Sequence, residues 1–440
     1  MIDQKRFRRA VQLFTAAVVL VGTLFGMSAA YVGSRESKSV VRAELPSDGE
    51  VPLKAAFLRQ GDLWLQSGER ERRLTEGEQA HQPLWSPDGH WLAYTSGERT
   101  IRLLHPASGK RIEVGSGISY EWSPVANLLA FQDGEVLQVT DVAKADDEKF
   151  QNAALGVGSY SWLPDGSGFL VSTGAQLLPD GWSDLSIYEV PFVYGKEMQK
   201  ARLVVRLPSQ SKSFFAVRTS KFKWSADRKW ISFIAVPTAS LSADSNTLCV
   251  MYWNGRKIIP AGEMLNYDDW VAWSPRGDLL ALIAGNGRDA TAGKKLTVER
   301  PPFRKQSVYT PQGFADRDPV WEDSRYIVVS RFQESAGGGA TPQPGAPQPF
   351  LARVDVQDGT SAALPSLQGA YGDYRPVYIP ASRYLSWIRT NRDTSSVWIS
   401  GPDGSGEREW IGKMDVAPDY YGHFDWAETI DWYGDRESGE

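Results

Sequence analysis

Apolar and polar positions alternate along this chain in short segments, and one arrangement keeps returning: an aromatic residue, a polar turn, then an apolar run. The copies read Trp85-Ser-Pro-Asp-Gly-His-Trp-Leu-Ala-Tyr, Trp122-Ser-Pro-Val-Ala-Asn-Leu-Leu-Ala-Phe, Trp162-Leu-Pro-Asp-Gly-Ser-Gly-Phe-Leu-Val and Trp224-Ser-Ala-Asp-Arg-Lys-Trp-Ile-Ser-Phe. They continue with Trp273-Ser-Pro-Arg-Gly-Asp-Leu-Leu-Ala-Leu, Trp321-Glu-Asp-Ser-Arg-Tyr-Ile-Val-Val and Tyr378-Ile-Pro-Ala-Ser-Arg-Tyr-Leu-Ser-Trp, and close with a degenerate Trp426-Ala-Glu-Thr-Ile-Asp-Trp-Tyr. Successive anchors stand 37, 40, 62, 49, 48, 57 and 48 residues apart, the period of four-stranded propeller blades. Pro fixes φ and Gly accepts positive φ, so Pro-Asp-Gly builds a tight turn. The run after it predicts a buried strand, and the aromatic anchor fills the seam between blades. The pattern predicts an all-β fold: a single β-propeller of four-stranded blades, eight by anchor count, seven if the weak Tyr378 copy belongs to a neighbouring unit.

Segments between anchors repeat too. Glu135–Val139, Ser186–Val190, Phe350–Val356 and Val397–Ser400 alternate apolar residues and run into turn residues, which predicts a third strand in each unit. Residues 335–349, rich in Gly, Pro and Ala, predict a loop inside the sixth unit. The longest spacing, from Trp162 to Trp224, predicts an elaborated loop around Leu177–Asp184. Strands at 54–59, 62–66 and 72–75 precede the first anchor, whereas Trp426 has too little chain after it to finish a blade. The two half-units complement each other, so residues 52–440 should form a propeller closed by pairing its N- and C-terminal strands, with no open radial end.

The first residues differ in character. Lys5, Arg6, Arg8 and Arg9 sit in a basic tail (1–9), followed by an uncharged, largely apolar stretch (10–34) and a polar stalk (35–51). The apolar stretch is long enough to span a bilayer, and basic residues before it orient the rest outward. A single-pass signal anchor is expected, with the propeller extracytoplasmic. The alternative is cleavage near Ala30, after Ser28-Ala29-Ala30, which leaves a secreted or periplasmic protein.

Composition narrows the function. Formal charge is −5 with no basic stripe, which disfavours nucleic-acid binding. Cys249 is the sole cysteine, so no internal disulfide forms, and the four histidines show no metal-ligand spacing. No Gly-x-Ser-x-Gly elbow is present. No catalytic residue, cofactor or metal is therefore assigned.

The units resemble the TolB-like, WD-repeat-like β-propellers: Leu74-Thr75 ahead of Trp85-Ser86-Pro87-Asp88-Gly89 follows that family's order. The resemblance covers roughly residues 52–433. It implies a membrane-tethered propeller without the small N-terminal domain of TolB and without the hydrolase domain of oligopeptidases. It is specific for fold and says little of function.

Loops entering the inner strands converge at a propeller's channel mouth. The residues three before each anchor are Gln82, Ser119, Ser159, Lys221, Trp270, Asp318, Arg375 and His423. They form a candidate binding mouth, polar and mixed in charge, suited to an envelope protein, a peptide or a glycan. Trp182, Trp253, Trp270 and Trp410 fall outside the repeat and are candidates for exposed aromatics. The expected function is a non-catalytic binding or scaffold module of the cell envelope. The alternative is an envelope enzyme acting on a glycan or peptide at the mouth.

Overall fold

The computed structural model describes residues 53–434 apart from 98, 147–148, 304–305, 335–347 and 366–368. The expected signal anchor and the whole stalk, together with most of the low-complexity loop of the sixth unit, lie outside the described residues. Among those described, no helix is long and apolar enough to cross a membrane.

Eight antiparallel meanders make an eight-bladed propeller. Their inner strands are Ala80–Trp85, Ile118–Trp122, Ser159–Trp162, the split pair Arg218–Thr219 and Lys223–Trp224, Val271–Trp273, Phe314–Trp321, Gly372–Ile379 and Ile430–Trp432. They define blades 1 to 8. Blade 8 is composite: Ile430–Trp432 pairs with Lys54–Arg59, which pairs with Asp62–Ser67 and then Arg70–Arg73. That outermost strand, Arg-Glu-Arg-Arg, is wholly exposed, and its charge guards the sheet edge.

Four of the anchors stand at the end of an inner strand for a shared physical reason. Trp122 Nε1 donates to the carbonyl of Leu84, Trp162 to Glu121, Trp273 to Lys223 and Trp321 to Ala272, at 3.0–3.1 Å. In every case the acceptor precedes the anchor of the previous blade, so the indole seals the seam and keeps its N–H satisfied. The turns are locked locally as well. Ser86 Oγ donates to Asp88 (2.6 Å) and accepts from the Trp91 amide (3.0 Å), and Ser225, Asp227 and Trp230 repeat this. Gly89 sits at φ +68°, a conformation that residues with a Cβ adopt at a cost.

The last anchor requires correction. Trp426 lies in a 3-10 turn (Trp426–Glu428), and the inner strand of blade 8 ends instead on Trp432. Trp432 Nε1 bonds Ser386 Oγ (3.0 Å) as Trp273 Nε1 bonds Ser232 Oγ (3.0 Å). Trp426 is buried, but as packing for Phe424 and Tyr374. Trp410 is buried too, donating to the carbonyl of Gly68. Of the four aromatics outside the repeat, Trp253 alone is exposed.

A meander of this order puts two sets of connections on opposite faces. Second-to-third-strand loops and blade-to-blade loops share one face, here the upper face. Anchor turns and third-to-fourth-strand turns share the other. The upper set holds the hairpin Leu177–Leu178/Gly181–Trp182, the short helix Ala239–Ser242 and a second hairpin, Asp419–Tyr420/His423–Phe424.

Candidate functional site

The second hairpin sits in the connection from blade 7 to blade 8 but does not stay between them. Arg392 of blade 7 pairs with Asp419 (3.0 Å), and the buried Arg317 of blade 6 donates to the carbonyl of Gly422. At blade 5 the Ala290 amide donates to the Tyr421 carbonyl (2.9 Å). Tyr421 and Gly422, at φ +50° and +87°, turn the tip. The hairpin thus reaches across three blades and delivers His423 to blade 5. There the imidazole stacks on Tyr267, ring centroids 3.6 Å apart and planes within 6°.

Three other candidates, Trp270, Asp318 and Arg375, gather around the imidazole of His423, itself one of the eight. Trp270 is fully buried and donates from Nε1 to Asp318 Oδ1 (3.1 Å); Asp318 Oδ2 accepts the Arg375 amide (3.2 Å). Arg375 Nη1 donates to Asp269 Oδ2 (2.6 Å), and His423 Nε2 lies 3.5 Å from that same oxygen. The other four make their contacts elsewhere. Gln82 donates to the Glu428 carboxylate. Ser159 joins Ser172 and Thr219 in a hydroxyl cluster, 2.7–3.0 Å apart. Lys221 is 4.0 Å from Glu121, and Ser119 is exposed. Trp270 and His423 are therefore buried in the site's wall instead of lining an open rim. With Trp432 as the anchor, the equivalent position in blade 8 is Thr429, and His423 arrives by the hairpin.

Gln82, Ser119, Asp318 and Arg375 share a backbone feature. They lie at φ +52°, +53°, +53° and +48°, each where the inner-strand ladder skips register. These are bulges. A left-handed non-glycine residue costs on the order of 1–2 kcal/mol, and the bulge re-aims its side chain.

Charge is concentrated here. Burial opposes ionisation of Asp269, but His423, Arg375 and Lys223 outweigh it and hold its carboxyl well below the usual range. Asp425 is exposed, but partial desolvation by its neighbours, reinforced by the charge of Asp269, raises its carboxyl. Glu428 is raised by burial. Lys223, lowered by burial, donates to the carbonyls of Asp268 and Val271. Arg317 is lowered by burial and lies between the rings of Phe332 and Tyr374, 3.9 and 4.7 Å from their centroids. Asp269, Asp318 and His423 present donor atoms within 4.8 Å of one another, a grouping with metal-ligand chemistry. The expectation of no metal site rested on sequence spacing alone. Spacing missed this group because its members come from blade 5, blade 6 and the hairpin. Asp269 was missed by one position, as the neighbour of Trp270. Arg317 and Tyr267 carry no sequence signal.

No protein-family model matches this sequence, and no curated protein matches it. Among solved structures the chain is similar to a dihydro-heme d1 dehydrogenase, at 16% identity over 86% of this chain and 78% of that one, TM-score 0.53. It is also similar to a eukaryotic initiation factor, at 13% identity over 88% and 100%, TM-score 0.50. TolB from Acinetobacter baumannii is a further neighbour, at 18% identity over 59% and 63%, TM-score 0.35. At these identities the likeness is one of fold, and the β-propeller is the class that fold and mouth define.

Proposed function

We propose that the chain is a non-catalytic, extracytoplasmic binding module of the cell envelope, tethered through residues 10–34, that grips a protein partner on the upper face. The carrying observation is the one-sidedness of its elaborations. The extra hairpins and the short helix all belong to upper connections, and they expose Leu177 (70%), Tyr420 (56%) and Leu241 (54%). Loops held by a rigid scaffold are where recognition residues concentrate, and exposed aromatic and aliphatic side chains rimmed by charge suit a protein surface. The test is capture by the full-length chain from detergent-solubilised envelope, read by mass spectrometry, beside a Leu177→Ser, Tyr420→Ser double variant. Partners lost by the variant and kept by a lower-face control, Trp253→Ser, support the reading. Identical partner sets for all three chains refute it.

One observation favours an envelope enzyme acting on a glycan or peptide as the second reading. The exposed Asp425 carboxyl is raised in part by the charge of Asp269, itself held ionised, so two carboxyls of unlike acidity influence one another there. Turnover of an envelope glycan or peptide by the wild-type chain, abolished in Asp425→Asn, would establish that reading over binding alone. Among the described residues no Ser, Thr or Cys side chain is hydrogen-bonded to a histidine ring, so a carboxylate mechanism is the form it would take.

A further inference from the structure

Asp269, Asp318 and His423 bring their donor atoms within 4.8 Å of one another. His423 is more than nine-tenths buried, its Nε2 faces Asp269 Oδ2, and the cluster also includes Asp318. That nitrogen lies 3.5 Å from Asp269 Oδ2, yet it makes no hydrogen bond. The contact is an ion pair too loose for a good hydrogen bond, and a buried polar atom left under-satisfied calls for an explanation. We infer that these three side chains form a binding site for one divalent transition-metal ion, which fastens the 419–424 hairpin onto blades 5 and 6.

The donor set selects the class of ion. Imidazole nitrogen with two carboxylates suits Zn²⁺ or Mn²⁺ and their first-row neighbours, whereas Ca²⁺ prefers oxygen donors alone. Bonds of about 2.1 Å put tetrahedral donors about 3.4 Å apart and trans octahedral donors about 4.2 Å apart. The 3.5 Å His423–Asp269 separation already fits, and the 4.8 Å outer limit requires a contraction of up to about 1.4 Å for tetrahedral and about 0.6 Å for trans octahedral donors. The hairpin that carries His423 can supply it. Neither carboxylate is used up by its present bonds. Asp318 accepts from Trp270 and Arg375, and Asp269 from Arg375, while a carboxylate offers about four acceptor sites. Such donors are the outer partners that orient metal-ligating carboxylates.

The test uses the full-length chain, stripped with chelator and dialysed. Zn²⁺ and Mn²⁺ are titrated separately by calorimetry, and bound metal is counted by mass spectrometry. One ion per chain is expected with at least one metal, together with a rise in thermal midpoint of roughly 3 °C. His423→Ala and Asp269→Asn should each weaken binding by about 100-fold, since even outer partners of metal ligands are worth 10–100-fold. His81→Ala, which removes a half-exposed histidine, should change nothing. Failure of wild-type protein to take up either ion at 100 µM, or loss of binding in His81→Ala and not in His423→Ala, overturns the site. If the two site variants misfold, iron–ascorbate oxidation of wild-type protein decides. Oxidised Tyr267, Trp270 and His423 in peptide maps support the site, and oxidation confined to other residues overturns it.

Discussion

Truncating Trp432 tests how the ring is held shut. The residue is 3% exposed and ends the inner strand of blade 8, where its register partner is Ala55 of the N-terminal strand. Burying roughly 200 Å² of a tryptophan at about 25 cal/mol per Å² contributes about 5 kcal/mol, and Trp→Ala changes in cores typically cost 3–5 kcal/mol. The lost bond to Ser386 adds little, because that hydroxyl still donates to the Trp398 carbonyl (3.0 Å). Trp432→Ala should therefore cost about 4 kcal/mol, against less than about 1 kcal/mol for the exposed Trp253→Ala. Urea titration followed by circular dichroism measures the difference. Hydrogen exchange adds location. Protection should fall most in residues 54–73 for Trp432→Ala and in blade 2 for Trp122→Ala, which has a similar cost but a different seam. Equal midpoints for Trp432→Ala and Trp253→Ala would refute the argument, as would exchange in 54–73 that Trp432→Ala leaves untouched.

Three further outcomes follow from other parts of the molecule. Arg331 clasps Asp316 through two bonds (2.7 and 2.8 Å) with both side chains buried; Asp316→Ala should cost about 3–5 kcal/mol by stranding the guanidinium, and Asp316→Ala, Arg331→Met should cost less than that single change in a double-mutant cycle. Lys294 is buried among three carbonyls and its pKa falls from 10.5 to about 8. Between those values the unfolded chain binds the extra proton, so wild-type stability relative to Lys294→Met should rise from pH 8 to 10.5, by on the order of 3 kcal/mol, and stay flat below pH 8; a falling difference in urea titrations would reverse the assignment. Ser119 is exposed at φ +53°, so Ser119→Gly should raise the thermal midpoint by up to about 1 kcal/mol equivalent, and a drop would show that its side chain bears load.

What could be read in advance follows from which interactions are local. A blade is a meander whose turn, anchor and apolar run lie within about ten residues, so Trp85-Ser-Pro-Asp-Gly carries its own geometry and eight copies declare the propeller. The third strands at Val136–Asp141 and Leu185–Pro191 were legible for the same reason. Blade 8 weakened the signal. Its inner strand is three residues long, and both Trp426 and Trp432 offer an aromatic, so pattern alone chose the tryptophan that packs under the hairpin.

The site was legible only in part, and the reason is the bulge. Counting three residues back from an anchor finds Gln82, Ser119, Asp318 and Arg375 because the inner strand breaks register there, and the break belongs to the blade. What each side chain then meets belongs to other blades: Arg375 crosses from blade 7 to Asp269 of blade 5, and His423 comes from a hairpin outside the strand count. Those contacts span 106 and 154 residues of chain, and no local periodicity encodes them. The repeat sets a ring of backbone positions, and one irregular hairpin turns an arc of that ring into a chemically distinct cluster. Function in such a fold should accordingly be sought where the repeat is broken, at the hairpin of residues 419–424, before the positions where it is kept.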